Sequence, residues 1–255
     1  MTHDDLTSLA DVQRLLLPED PRIIGLEYAV HYQPAEIAAG DYYDLMPLTH
    51  LTPADEYDRA AHPDIWGLMI GDVSGHGAAA AMEAVQFDAI LRTYRGGEEP
   101  GGPAGALTYA NRYFFSRRAR RHFLTVFAAS YRPDRREFQY VSAGHPPALL
   151  VRAGQVQRIG EDGDIPLGIV KEHRFSNSVC SLQTGDLLVV FTDGIHEAKD
   201  RQGQQLGLER IEAVLRDASP EPDAVLQALR SEVFAHQDAE VGHDDQTILV
   251  LRQVA

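Results

Sequence analysis

Along the 255-residue chain aspartate recurs beside glycine or in a doublet at Gly40-Asp41, Gly71-Asp72, Asp193-Gly194 and Gly242-His243-Asp244-Asp245, three of these four at the end or beginning of a predicted strand. A single Asp-Gly pair reads as a turn, because both residues tolerate the backbone conformations that turns need. Recurrence at strand ends changes the reading, since a buried sheet holds its side chains rigidly. Carboxylates gathered without lysine or arginine repel one another, so they either protonate or bind a cation. Oxygen-only ligands suit a hard divalent ion, magnesium or manganese. Zinc would want imidazole or thiolate, and a lone cysteine, Cys180, can supply neither a thiolate cluster nor an internal disulfide.

The segment Gly71-Asp72-Val73-Ser74-Gly75-His76-Gly77 leads from a predicted strand into a predicted helix. It lacks the Lys-Ser or Lys-Thr of a phosphate-binding P-loop and the G-x-G-x-x-G spacing of a dinucleotide site. Its glycines instead let the chain turn tightly beside a metal and expose a backbone carbonyl. His76 is a candidate general acid, weighed against an ordinary surface histidine near a helix start. There is no G-x-S-x-G elbow, and Cys180 has no activating context in sequence, which disfavours a covalent nucleophile.

These residues need elements to hold them. Residues 4 to 17 carry Leu6, Leu9, Val12 and Leu16 at helical spacing behind Asp4 and Asp5 and stop before Pro18. The pattern predicts a short amphipathic helix whose apolar stripe packs on its own domain, a partner or a second copy. Strands are predicted over 23–33 and 42–48, with Gly40 and Asp41 between them, and His50 to Asp64 reads as a surface loop. Trp66 to Ile70 reads as a buried strand, and Ala78 to Tyr94 and Ala104 to Arg118 as helices separated by a glycine- and proline-rich run. Short strands follow over 122–131, 137–142, 148–152, 155–159 and 186–191, then helices over 208–216 and 222–236 and a closing strand over 246–253. Strands and helices are segregated rather than alternating, which favours an α+β fold of antiparallel sheets flanked by helices over a doubly wound parallel sheet.

Composition bounds the function. Twenty-three basic against 38 acidic side chains give a formal net charge of -15, and 44% hydrophobic with 24% charged residues is ordinary for a globular protein. A core splits only beyond about 250 to 300 residues, so one large domain is expected. The negative field argues against nucleic acid or an anionic membrane as principal partner. The basic cluster Arg117, Arg118, Arg120 and Arg121 reads as a solvated helix end. With no export signal and no run of roughly 18 apolar residues, a cytoplasmic protein is expected.

Taken together, Gly40-Asp41-Tyr42-Tyr43-Asp44, Gly71 to Gly77, Ala143-Gly144-His145-Pro146-Pro147, Pro166-Leu167-Gly168, Phe191-Thr192-Asp193-Gly194-Ile195-His196-Glu197-Ala198 and Asp244-Asp245-Gln246-Thr247 follow a familiar order. Over roughly residues 12 to 253 the chain resembles the metal-dependent PPM (PP2C-like) serine/threonine phosphatases, in their bacterial RsbU/SpoIIE-type branch. The resemblance implies an αββα sandwich of two antiparallel β-sheets flanked by helices, with a metal cluster at one edge. Residues 1–17 would form an N-terminal, regulatory helix and 18–255 the phosphatase domain. Two Mn²⁺ or Mg²⁺ ions are implied: Asp72 bridges them, the Val73 carbonyl and Asp41 complete one site, and Asp193 and Asp244 hold the other, with Asp245 as the alternative to Asp244. The implied reaction is hydrolysis of phosphoserine or phosphothreonine by metal-activated water, with no phosphoenzyme. The implied substrate is a phosphorylated STAS-domain anti-sigma-factor antagonist in bacterial partner switching, and the implied control point is a partner or dimer contact through the N-terminal helix. Ser74 stands where eukaryotic relatives place a histidine, which leaves His76 as the candidate acid, and their phosphate-gripping arginine has no match. The rival reading, a phosphoprotein-binding module of the same fold without turnover, is weakened because every aspartate expected as a ligand is retained.

Overall fold

Side-chain alternation decides the architecture. Along β3 (Trp66–Val73), Trp66, Leu68 and Ile70 point to one face and Met69 and Val73 to the other, and both faces are apolar because both are covered. The computed structural model describes residues 3–48, 65–97, 100–116, 122–237 and 243–254. The expected 50–64 loop, Gly242 and the cluster Arg117, Arg118, Arg120 and Arg121 lie outside the described residues. One five-stranded antiparallel sheet runs β2 (Asp41–Pro47), β3, β4 (Leu124–Arg132), β5 (Glu137–Ala143), β8 (Ser178–Ser181). The other runs β1 (Leu26–Gln33), β10 (Gln246–Gln253), β9 (Leu187–Phe191), β6 (Ala148–Arg152), β7 (Gln155–Ile159).

Between the sheets lies a core of Leu45, Leu68, Ile70, Phe127, Tyr131 and Phe138 against Leu150, Leu188, Val190, Leu249 and Leu251. On the outer face of the first sheet, α2 (Gly77–Leu91) and α3 (Gly102–Ser116) bury Ala84, Phe87, Leu107 and Phe114. On the outer face of the second, α4 (Asp193–His196), α5 (Leu208–Asp217) and α6 (Pro222–Gln237) bury Ile195, Ile211, Leu215, Val225 and Leu229. The expected αββα sandwich is therefore what the chain forms. The amphipathic helix α1 (His3–Leu16) lays Leu9 and Ala10 against Ala38 and Ala81, where small side chains permit close approach.

The far end of α2 is fixed to β2 by a buried polar group. Arg92 donates to Asp88 (2.9 Å) and Asp44 (3.0 Å), and the Tyr42 hydroxyl lies between the same two carboxylates. Departures from the sequence reading are local. Asp41 opens β2 rather than preceding it, and β3 continues through Val73. The first strand starts at Leu26 because Ile23 to Gly25 form a turn closed by the Leu26 amide on the Ile23 carbonyl. The helix from Ala78 ends at Leu91, not Tyr94. Neither β8 nor α4 was expected: β8 is a four-residue edge strand with exposed Ser178 and Val179, and α4 is a single turn.

Candidate metal centre

Asp41 and Asp72 are direct cross-strand partners in the β2–β3 ladder. Parity places both on the inner face, since Leu45 on β2 and Leu68 and Ile70 on β3 enter the inter-sheet core. Like charges opposite one another destabilise a sheet unless something compensates them. The second sheet brings more carboxylates to the same edge: Asp193 follows β9, and Asp244 and Asp245 precede β10. Asp72 feels Asp193, Asp244 and Asp245, and Asp41 feels Asp72 and Asp245.

Burial, followed by these neighbouring carboxylates, pushes Asp72 up to about 8 and Asp193 up to about 6. Asp41 is raised well above the carboxylate range for the same reasons, although the Thr247 and Thr192 hydroxyls hold it down in part. Burial also raises Asp245, against the pull of main-chain amides. No lysine or arginine figures among these leading influences. A cluster of this kind is satisfied by protons or by an oxygen-seeking divalent cation, so the donor set fits Mg²⁺ or Mn²⁺. Among the described residues no three His, Cys, Asp or Glu side chains already converge on one point. What the fold provides is five carboxylates at one edge, Asp41 and Asp72 from one sheet and Asp193, Asp244 and Asp245 from the other, together with the buried Val73.

Three of the carboxylates have hydrogen-bond support of their own. Asp41, only 2% exposed, accepts from Thr192 Oγ1 (2.8 Å) and Thr247 Oγ1 (2.6 Å), one threonine from each of β9's end and β10. Asp245 Oδ1 accepts from the Ala35 amide (2.7 Å) and Oδ2 from the Gly40 amide (2.6 Å), so both its oxygens are engaged. Asp244 is exposed, and its Oδ1 accepts the Asp245 amide (2.9 Å). Two glycines make the crowding feasible. A Cβ on Gly40 would lie 3.0 Å from the Val73 carbonyl oxygen, and one on Gly194 would lie 2.0 Å from the Asp245 carbonyl oxygen. Gln246 then ties the two aspartate loops by donating from Nε2 to the Gly194 carbonyl (3.1 Å).

Thus the structure brings together Asp41, Asp72, Asp193, Asp244 and Asp245. His76 sits apart in character: it stands just before α2 without a side-chain capping bond, its ring exposed to solvent and Nδ1 2.7 Å from Glu36 Oε1. His145 of the Ala-Gly-His motif is buried; Nδ1 donates to the Pro146 carbonyl, and burial holds the ring down to about 4. Sequence reasoning assigned no role to Thr192, Thr247 or Gln13. The threonines were within reach, because strand alternation puts both on the inner face beside Asp41. Gln13 carried no signal, since a helix pattern does not say which polar residue turns inward.

Two five-stranded antiparallel sheets with helices outside and an acidic cluster at one edge form the PP2C fold. The SiaA-PP2C domain of Pseudomonas aeruginosa shares it with a TM-score of 0.76 and 20% identity, over 98% of this chain and 95% of that one. The chain belongs to the family described as Stage II sporulation protein E (SpoIIE), whose match covers residues 62–254. It is 27% identical over 251 residues to the phosphoserine phosphatase RsbU of Bacillus subtilis, spanning 96% of this chain and 68% of RsbU. It spans 37% of the length of protein IcfG of Synechocystis. The catalytic domain of the serine/threonine protein phosphatase PstP, solved with two manganese ions, has a TM-score of 0.60 at 16% identity, over 90% of this chain and 99% of that one.

Proposed function

We propose that this protein is a metal-dependent protein serine/threonine phosphatase that hydrolyses phosphoserine or phosphothreonine. One observation carries the reading: Asp72, paired with Asp41 on one sheet, faces Asp193, Asp244 and Asp245 from the other, and no lysine or arginine of the described residues figures among the leading influences on them. Family membership and the likeness to RsbU support it. Asp72, Asp41 and the Val73 carbonyl would hold one divalent ion, and Asp72, Asp193 and Asp244 a second, with Mn²⁺ or Mg²⁺ in both. Bound there, the ions would supply a water of lowered pKa and offset charge on the phosphate oxygens. The protein's own part is to hold the carboxylates. Thr192 and Thr247 orient Asp41, and Asp245, committed to the Ala35 and Gly40 amides, braces the loop that delivers it. Asp244 rather than Asp245 is the proposed ligand on that ground. His76 stays a candidate acid of the same proposal, oriented by Glu36.

The finer reading follows the RsbU likeness: the substrate is a phosphorylated STAS-domain antagonist of an anti-sigma factor, met in the cytoplasm in a partner-switching pathway. The absence of any helix long and apolar enough to cross a membrane among the described residues accords with that setting. Residues 1–17 are proposed as a regulatory helix above the 18–255 phosphatase domain. Leu15 (83% exposed) and Val12 leave an apolar stripe of α1 open to a regulatory protein or a second copy. Deleting residues 1–17 tests this: unchanged stability, metal affinity and activity would remove the idea.

The function is tested by hydrolysis of a phosphoserine peptide and of p-nitrophenyl phosphate with Mn²⁺, Mg²⁺ or EDTA, and then of a phosphorylated STAS-domain protein. Metal-dependent turnover supports the reading. Tight binding of the phosphoprotein without turnover under any metal would favour a binding module instead.

A further inference from the structure

We propose that His122 is the general acid that protonates the leaving serine or threonine oxygen, a role that rests on the phosphatase reading above. His122 lies two residues before β4, the strand that pairs with β3, and Leu124 and Thr125 sit opposite Val73 and Asp72. Its ring folds back onto the turn that follows those residues. His122 Nδ1 is 2.6 Å from the Ser74 carbonyl oxygen. A carbonyl can only accept, so Nδ1 carries the hydrogen and the tautomer is fixed. The second nitrogen, Nε2, is then the one that gains and loses a proton.

The ring is positioned by more than one contact. The Phe123 amide donates to Ser74 Oγ (2.9 Å), and the Ser74 amide donates to the Phe123 carbonyl (2.9 Å). The ring edge also covers Gly75, where an added Cβ would lie 3.6 Å from His122 Cε1. An imidazole whose one nitrogen is anchored to a carbonyl and whose other is left for proton transfer is the arrangement that general acid–base catalysis uses. His76 has a different setting, since its Nδ1 is paired with the Glu36 carboxylate and its ring stands in solvent.

The step balances as follows. A bond forms between the attacking water oxygen and phosphorus, and the bond from phosphorus to the seryl Oγ breaks. The proton on His122 Nε2 goes to Oγ, giving the free serine hydroxyl. One proton of the attacking water, now on dihydrogen phosphate, returns to Nε2, and hydrogen phosphate leaves. No oxidant, reductant or further co-reactant enters.

A general acid matters in proportion to how poor the leaving group is. A serine alkoxide needs the proton and a nitrophenolate does not. The test compares wild type, His122→Gln and His76→Gln, each with Mn²⁺, on a phosphoserine peptide and on p-nitrophenyl phosphate. His122→Gln should lower kcat on the phosphopeptide by about 100-fold or more while leaving p-nitrophenyl phosphate within about threefold. Its Mn²⁺ binding isotherm should match that of wild type. A readout independent of turnover comes from ¹⁵N ring shifts in the metal-free protein, where His122 should carry a hydrogen on Nδ1. An equal loss on both substrates, no loss on the phosphopeptide, selective loss in His76→Gln alone, or a bare Nδ1 would overturn the assignment. Wild type inactive on both substrates with every metal would overturn the phosphatase reading itself, and His122's role with it.

Discussion

Gln13 grips the main chain of Ala39 with both ends of its amide: Nε2 donates to the Ala39 carbonyl (2.7 Å), and Oε1 accepts from the Ala39 amide (3.1 Å). Ala39 stands two residues before Asp41, and the Gln13 side chain is buried. The N-terminal helix is thereby bonded to the backbone that delivers a proposed metal ligand. Gln13→Ala strands a buried carbonyl and a buried amide, at a cost of roughly 1–3 kcal/mol for each group left without a partner. Its expected signature is a lowered melting temperature together with weaker Mn²⁺ binding by titration calorimetry. A variant less stable but with unchanged metal affinity would show that α1 only supports the fold.

Asp72→Asn removes the charge that faces three other carboxylates. Activity with Mn²⁺ should fall at least about 100-fold, in line with loss of electrostatic stabilisation at a reacting phosphate. The metal-free variant should melt no lower than wild type, because a repulsion is removed. Circular dichroism melts alongside phosphopeptide hydrolysis check both halves, and a fully active Asp72→Asn would sink the site.

Adjacent aspartates should behave differently. Asp244→Asn should weaken metal binding with little change in stability, since this side chain is exposed. Asp245→Ala should destabilise the protein by about 2–4 kcal/mol, because it leaves the Ala35 and Gly40 amides without their charged acceptor. Urea unfolding and metal titration on the two variants separate the outcomes, and exchanged phenotypes would mean that Asp245 is the ligand.

The metal-free protein should be less stable at pH 8 than at pH 6. An aspartate whose folded pKa lies above its unfolded value of about 3.9 binds its proton more tightly when folded, so stability falls as pH climbs through that interval. For Asp193 the interval ends at about 6 and for Asp72 at about 8. Buried His145 and half-buried His31 act in the opposite sense. Burial holds both down to about 4, against about 6.5 when unfolded, so their contribution is lost as pH drops below about 6.5. Added Mn²⁺ replaces the aspartate protons, so the rise in melting temperature it produces should be larger at pH 8 than at pH 6. A smaller rise at pH 8 would contradict the carboxylate cluster as the binding site.

Most of this fold was legible because its strands alternate or run apolar, and because several helices open at glycine or proline, α2 at Gly77, α3 at Gly102 and α6 at Pro222. The strand Gln246 to Gln253 and the two short strands from Ala148 and Gln155 match the structure residue for residue. β8 escaped because Ser178-Val179-Cys180-Ser181 pairs only through its backbone at a sheet edge, with little buried side chain to leave a pattern. At the site, the aspartates could be read from their recurrence beside glycine. Thr192 and Thr247 were within reach of strand alternation, although they act across 151 and 206 positions of chain; Gln13 was not, because nothing in a helix pattern says that it turns inward to a partner 26 positions away. His122 went unread for a related reason: nothing in its neighbourhood of sequence announces the Ser74 carbonyl it meets.

β10, the domain's final strand in chain order, does not lie at a sheet margin but is inserted between β1 and β9. During synthesis β1 must therefore wait, its neighbour unmade, until the chain through β9 and the helices after it has been made. Thr247, which that late strand carries, is one of the two hydroxyls holding Asp41. A chain that lacks β10 thus has neither a joined second sheet nor the full support of Asp41.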